Sequence, residues 1–202
     1  MKPGYAVSFW RKHGMKPPKV DVLELIERKA ARYFGALPPW VPGTVVCADS
    51  TSTPLTSISS KAQWVVTSPP YYGMRTYLPD QWLRYWFIGG PARVSYVSEG
   101  QLEHTSPERF AEHLSQVWKN VAEACGEGAR MVVRFGGIRY RNQNPREILW
   151  ESLRIADCGW RITNVRSAGL ATRGKRQAQQ FLETLKKPIV ESDVYARLDT
   201  AK

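Results

Sequence analysis

The chain has 202 residues, 43% of them hydrophobic and 23% charged, with a formal net charge of +11 from 29 lysines and arginines against 18 aspartates and glutamates. That length supports one domain with a substantial core, and the composition argues against a disordered chain. The basic excess favours a polyanionic partner through long-range attraction. No run of about 18 apolar residues points to a membrane-spanning helix, and the first residues lack the apolar stretch of a signal peptide. Cys47, Cys125 and Cys158 are scattered, and His13, His104 and His113 form no ligand pattern; no metal is expected. A sparse, odd cysteine count fits thiols packed as small apolar groups in a reducing, cytoplasmic setting.

In chain order, residues 5 to 13 suit a helix, and KVDVLEL at 19 to 25 reads as a short buried strand leading into a helix at IERKAARYF. GTVVCADS at 43 to 50 reads as a strand ending in an acid, and AQWVVTS at 62 to 68 as the next strand. Residues 72 to 104 are aromatic-rich, contain GGP and lack clear periodicity, which suggests an irregular insertion with one helix. The helix that follows starts either with Thr105 to Glu108 as a capping box or with Ser106 as cap and Pro107 in the first position. Phe110, Leu114, Val117, Trp118, Val121 and Cys125 then recur at helical spacing, and Gly126 and Gly128 are expected to stop the helix. ARMVVRFGG reads as a strand, NPREILWESLRIADCG as a helix capped by Asn144 with Gly159 past its end, and WRITNVRSAG and KPIVESDVYARL as the last strands. Strands alternating with helices predict an α/β fold with a mainly parallel sheet in three layers.

The most informative stretch is WVVTSPPYYGMRTY, residues 64 to 77. Pro69 and Pro70 remove two backbone donors, so no regular ladder runs through them, and each biases the preceding residue toward extended geometry. The strand must end at a stiff corner presenting Ser68, free carbonyls and the Tyr71 ring at a strand's carboxyl end, where open α/β sheets bind ligands. Such a corner suits an exocyclic amine on a base. That nitrogen is a poor nucleophile because its lone pair is delocalised into the ring. Two acceptors aimed at its protons, the Ser68 hydroxyl and the Pro69 carbonyl, would localise the pair from a preorganised position. Tyr71 could stack on the base.

VVTSPPYYG closely resembles the catalytic motif of the S-adenosylmethionine-dependent amino-methyltransferases that act on DNA, the cytosine-N4 and adenine-N6 enzymes of restriction–modification. The serine form preceded by threonine resembles the cytosine-N4 type. GTVVCADST before the motif, LSQVWKNVAEACGEGARMVVRFGG after it and GWRITNVRS beyond are similar to the family's acidic strand end, helix–glycine–strand unit and following strand, so residues from about 43 to 170 fit in order.

The resemblance implies a single Rossmann-like class I methyltransferase domain over residues 1 to 202 with an irregular insertion at about 72 to 104. It implies S-adenosyl-L-methionine as cofactor and DNA as partner. Ser68, Pro69, Pro70 and Tyr71 would be catalytic, and Glu24, Asp49, Ser50 and Thr67 would bind the cofactor, Glu24 at the ribose hydroxyls and Asp49 at the adenine amine. Arg75, Arg141, Arg173, Lys175 and Arg176 would meet phosphates. Each has a plainer alternative: a turn cap for Asp49, a solvated acid for Glu24, a solvated loop for the basic cluster. An RNA or protein amide methyltransferase, or a non-catalytic nucleic-acid-binding fragment, are the rival functions.

The family's glycine-rich turn, which cradles the methionine end of the cofactor, has no counterpart here; RFGG at 134 to 137 follows the wrong strand. The expectation is a chain truncated at its N-terminus and lacking its first central strand, or one whose cofactor site is completed by another chain.

Overall fold

The structure, a computed structural model, describes residues 3–55, 61–74, 77–96, 101–137, 143–170 and 190–199. In chain order it contains α1 (Pro3–Lys12), α2 (Val22–Phe34), β1 (Ala62–Thr67), α3 (Tyr77–Phe87), α4 (Pro107–Ala124), β2 (Cys125–Phe135), α5 (Pro145–Ala156), β3 (Trp160–Leu170) and β4 (Val190–Leu198). The chain divides into two compact units, Met1–Cys47 with Trp82–Val94, and Ala48–Gln81 with Ser95–Lys202.

The second unit holds the sheet, in the order β1-β2-β4-β3. β1 and β2 are parallel, whereas β4 runs antiparallel to both β2 and β3. The expected mainly parallel sheet is therefore corrected to a mixed one. The reason is legible in β4, whose buried residues Ser192, Val194, Ala196 and Leu198 alternate with Glu191, Asp193, Tyr195 and Arg197. Strict alternation marks a strand with one covered face, the habit of antiparallel pairing rather than of a buried parallel strand.

α4 and α5 cover that one face. Their stripes have the same spacing: Phe110, Ala111, Leu114, Ser115 and Trp118 on α4, Ile148, Leu149, Ser152, Leu153 and Ala156 on α5. They close on Ala129, Met131, Val133 and Phe135 of β2 and Val194, Ala196 and Leu198 of β4. The Trp118 indole donates to Ser152 Oγ at 2.9 Å, and that hydroxyl donates to the Leu149 carbonyl at 2.7 Å, so the stripe's polar atoms are satisfied inside the core. On the opposite face Trp64 and Val66 are 56% and 79% exposed, so the described residues of this unit form two layers where three were expected.

Ser106 caps α4 by accepting from the Arg109 amide at 3.2 Å, with Pro107 in the first turn; of the two starts read from the sequence, this one forms. The helix ends at Ala124 and β2 begins at Cys125, so Gly126 and Gly128 lie inside the strand rather than stopping the helix. Asn144 caps α5 as expected, accepting from the Arg146 amide at 3.0 Å.

Two expected strands are absent among the described residues. Val22 to Leu25 of KVDVLEL open α2, because Asp21 captures the amides of Leu23 and Glu24 at 2.9 and 3.1 Å and starts a helix there. GTVVCADS forms no strand, and Val45 is 99% exposed. A β-branched run becomes a strand only where another strand completes its ladder.

Within the first unit α1 and α2 are mostly exposed, with Ala6, Phe9, Leu25 and Ala30 partly covered; α2 buries no residue. The Trp82 indole donates to the Pro91 carbonyl at 3.0 Å, closing the segment after α3.

Candidate active site

β1 and β2 run parallel with Thr67 opposite Val133, so their carboxyl ends lie side by side. Ser68, Pro69 and Pro70 continue from β1 without regular structure, the corner expected from two consecutive prolines. Ser68 is exposed, Pro69 and Pro70 are partly covered, and the Ser68 hydroxyl makes no hydrogen bond to another described residue. Its oxygen and the Pro69 carbonyl remain available as acceptors.

The chain turns immediately afterwards. The Met74 amide donates to the Tyr71 carbonyl at 3.0 Å, with Gly73 at φ +86°, a backbone that glycine adopts without a Cβ penalty. The Gly73 amide donates to His104 Nδ1 at 3.0 Å. Tyr72 is buried edge-on against Phe110, with centroids 5.6 Å apart. The turn is thus nailed to the α4 layer by Tyr72 while Tyr71 points elsewhere.

Tyr71 stands edge-on to Phe135 at 5.7 Å, and its hydroxyl donates to Glu191 Oε1 at 2.5 Å. Burial first, then the hydrogen bond and charge of Glu191, hold the phenol well above its ordinary value of 10.0, so it stays a neutral donor through the physiological range. Gly136 supplies the space. A Cβ there would lie 3.0 Å from Glu191 Cγ and 3.3 Å from two ring carbons of Tyr71. RFGG thus serves the corner rather than a cofactor turn. Beside this group, Arg134 makes a two-pronged bond to Asp193 at 2.8 and 2.9 Å, and its donation holds the Asp193 carboxyl below the usual 3.8.

The residues expected to hold the cofactor are not brought together in the same way. Glu24 lies in the first turn of α2 in the first unit, 3.7 Å from Arg28 one turn on; it ends no strand, because the strand assigned to it is a helix. Asp49 Oδ1 accepts from the amide and hydroxyl of Thr51 at 2.8 and 2.7 Å, bonds that lower its carboxyl below the ordinary 3.8. It is the turn cap of the plainer reading. The carbonyl of Ser50 accepts from Asn120 Nδ2 at 3.0 Å, and Thr67 is the last residue of β1. Asp49 is thus committed to its own turn and the Ser50 carbonyl to Asn120 of α4, while Glu24 belongs to the first unit. A concavity of about 670 Å³ in the second unit is lined by Lys119, Cys125, Cys158 and Asp199 among others. It lies at the amino end of β2 and the carboxyl end of β4, away from the corner. No group of three or more His, Cys, Asp or Glu among the described residues could hold a metal ion, and no described helix is long and apolar enough to cross a membrane.

Arg75, Arg141, Arg173, Lys175 and Arg176 lie outside the described residues. Another set of cations appears instead, which sequence reading missed. On the open face of the sheet Trp64, Arg130, Arg197 and Arg161 stand directly opposite one another across all four strands. The Arg130 guanidinium lies 5.3 Å from the Trp64 ring centroid, and Arg166 lies 5.5 Å from that of Tyr195. Like charges directly opposite oppose pairing; here Arg161 is relieved by Asp199 at 3.1 Å. The signal available in sequence was an arginine in each of β2, β3 and β4, which becomes a row only once the register is known.

No family model matches the sequence, and no curated protein matches it. Among solved structures the chain is similar to TTHA0409 of Thermus thermophilus, a candidate DNA modification methylase, at 18% identity and a TM-score of 0.41, over 77% of this chain and 53% of that one. The selenomethionine derivative of the same protein gives 17% and 0.39, over 75% and 49%. The cyclase SpnF gives 14% and 0.41, over 88% and 62%. The chain spans about half the length of the TTHA0409 structures. Likeness at this level does not extend to a shared activity.

Proposed function

We propose that the Ser68–Tyr71 corner is the target-amine half of a DNA N-methyltransferase site acting on cytosine N4 in preference to adenine N6. The observation that carries the reading is the corner itself: an exposed, unengaged Ser68 hydroxyl and a proline-fixed carbonyl at a strand's carboxyl end, followed by an anchored aromatic ring. Ser68 Oγ and the Pro69 carbonyl accept from the two amine protons and draw the nitrogen toward tetrahedral geometry. No strong base is required before attack, since the amine proton becomes acidic once nitrogen is alkylated. Tyr71 holds the base by stacking. The net charge of +11 and the arginine row support a polyanionic partner.

S-adenosyl-L-methionine would supply the methyl group. The proposal includes completion of that half by polypeptide beyond the described residues of the sheet-bearing unit, either further residues of this protein or a second chain. The edge of β1, unpaired among the described residues and with Trp64 and Val66 exposed, supports it, since unpaired strand edges are usually covered or blunted. A cytoplasmic location belongs to the same reading.

The test is mass spectrometry of nucleosides after incubating the chain with methyl-labelled S-adenosylmethionine and duplex DNA, with RNA and a protein mixture in parallel. N4-methylcytosine is the expected product, and Ser68→Ala should lower its rate about 100-fold with little change in DNA binding. N6-methyladenine would move the target to the other base. Label in RNA or protein alone would give the site to a different substrate. Salt-sensitive DNA binding with no transfer, even when a completing segment is supplied, would leave a binding fragment.

A further inference from the structure

Glu191 is 120 residues from Tyr71 in sequence and belongs to no motif. We propose that Glu191 is a positioning residue for Tyr71, fixing the orientation of the ring face on which the target base stacks; the inference rests on the reading of Tyr71 as that stacking platform.

A tyrosine side chain held only by its Cα can swing about two torsions. Tyr71 is held at both ends. Its backbone is pinned by the turn to Met74 and by buried Tyr72, and its hydroxyl ends on Glu191 Oε1 at 2.5 Å. The carboxylate is itself immobilised by its neighbours on β4. Ser192 lies opposite Phe135 and accepts from Arg146 Nε and Nη2 at 3.2 and 3.1 Å. Asp193 lies opposite Arg134 and takes both prongs of its guanidinium. The backbone that carries Glu191 is therefore fixed in register with β2, the strand beside the one that ends at the corner.

Gly136 makes the arrangement specific. Its missing side chain is the gap through which the Glu191 methylene and the Tyr71 ring meet the end of β2. Phe135 closes the ring's other edge. Phe135, Gly136 and Glu191 thus leave the ring its position and tilt, and the base that stacks on it inherits both. A misplacement of about 1 Å at a reacting centre can cost on the order of 100-fold in rate, so an anchor remote from the amine acts on turnover rather than on affinity.

The experiment uses the whole chain with isotope-labelled tyrosine and five variants: Glu191→Ala, Glu191→Gln, Tyr71→Phe, Tyr71→Ala and the double Tyr71→Phe/Glu191→Ala. Nuclear magnetic resonance of the Tyr71 ring is expected to show slow flipping in the parent and in Glu191→Gln, whose amide oxygen still accepts, and fast averaging in Glu191→Ala. Methyl transfer is expected to fall about tenfold in kcat, at unchanged KM for DNA, in Glu191→Ala and in Tyr71→Phe. The double variant should be no worse than either single, because both remove the same bond. Glu191→Gln should recover to within about twofold of the parent. A Tyr71 ring unaltered by Glu191→Ala, losses that multiply in the double variant, or a Glu191→Gln as slow as Glu191→Ala would each overturn the proposal. A ring that loosens as expected while Tyr71→Ala transfers methyl groups at the parental rate would instead sink the stacking reading on which it rests.

Discussion

α2 and α4 begin alike and end in different circumstances. Each is opened by a side-chain cap, Asp21 on the amides of Leu23 and Glu24, Ser106 on that of Arg109. Each carries an apolar stripe. α4 buries Phe110, Leu114 and Trp118 to 1% exposure or less, whereas α2 leaves Leu23 and Ile26 at 73% and 58%. The contrast separates two things that periodicity is often taken to give together. A cap and a stripe are enough to shape a helix; burial needs a second surface, and α4 has one because β2 and β4 present alternate apolar residues to it.

The sharpest way to break that contrast is to truncate one stripe residue on each helix. Trp118→Ala removes a side chain that is 1% exposed together with its bond to Ser152, and should cost about 3–5 kcal/mol in urea unfolding. Ile26→Ala should fall within about 0.5 kcal/mol of the parent. If Ile26→Ala proves as costly as Trp118→Ala, α2 has a cover in solution and the comparison fails.

The caps sharpen it at a smaller scale. Ser106→Ala should lower global stability by about 1 kcal/mol, since α4 unfolds with the core it completes. Asp21→Ala removes two such bonds, but their loss should appear as faster amide exchange over Val22–Phe34 with the global unfolding midpoint unchanged. Equal shifts of that midpoint would mean that the two helices unfold as one unit.

The same distinction decides what was legible in the sequence. β1, the proline corner, α4 and α5 were readable because local chemistry determines them: prolines end a ladder, Ser106 and Asn144 satisfy amides, and the stripes recur every three or four residues. The strand expected at 19 to 25 was lost to Asp21 and Glu24, an acid cap followed three residues later by glutamate, a helix start that a β-branched reading overlooked. Val45 and Val46 have strand character and no neighbouring strand among the described residues. The antiparallel insertion of β4 was written in its alternation, but assigning it a place between β2 and β3 requires knowing which strands leave an edge open. Glu191 had no local signal at all; its role exists only through the register that sets β4 beside β2. Of the expected site, the corner survives as a geometric unit because its parts are contiguous, whereas Glu24 and Asp49 were placed by analogy with strand ends that do not form.

The smallest effect expected concerns two ion pairs, one in each region. Arg28 and Glu24 on α2 are 3.7 Å apart with side chains 69% and 71% exposed, and an exposed pair of this kind contributes little. Arg134 and Asp193 meet at 2.8 Å, with the Asp193 side chain only 18% exposed and Arg134 about half covered. The bond lowers the Asp193 carboxyl below 3.8 in the folded chain, so the unfolded state binds the proton more readily. Its contribution to stability is fully present above pH 3.8 and disappears as the pH falls through the depressed folded value. Asp193→Asn should therefore lower the urea midpoint at neutral pH, and the gap to the parent should close in acid, once the parent's own carboxylate is protonated. The effect should be modest, because half of the Arg134 side chain faces water that screens the pair. Glu24→Gln should give no gap at either pH. A gap for Asp193→Asn that persists undiminished in acid would trace the loss to packing beside Tyr71 rather than to charge, and would make the anchoring of β4 at the corner a matter of shape.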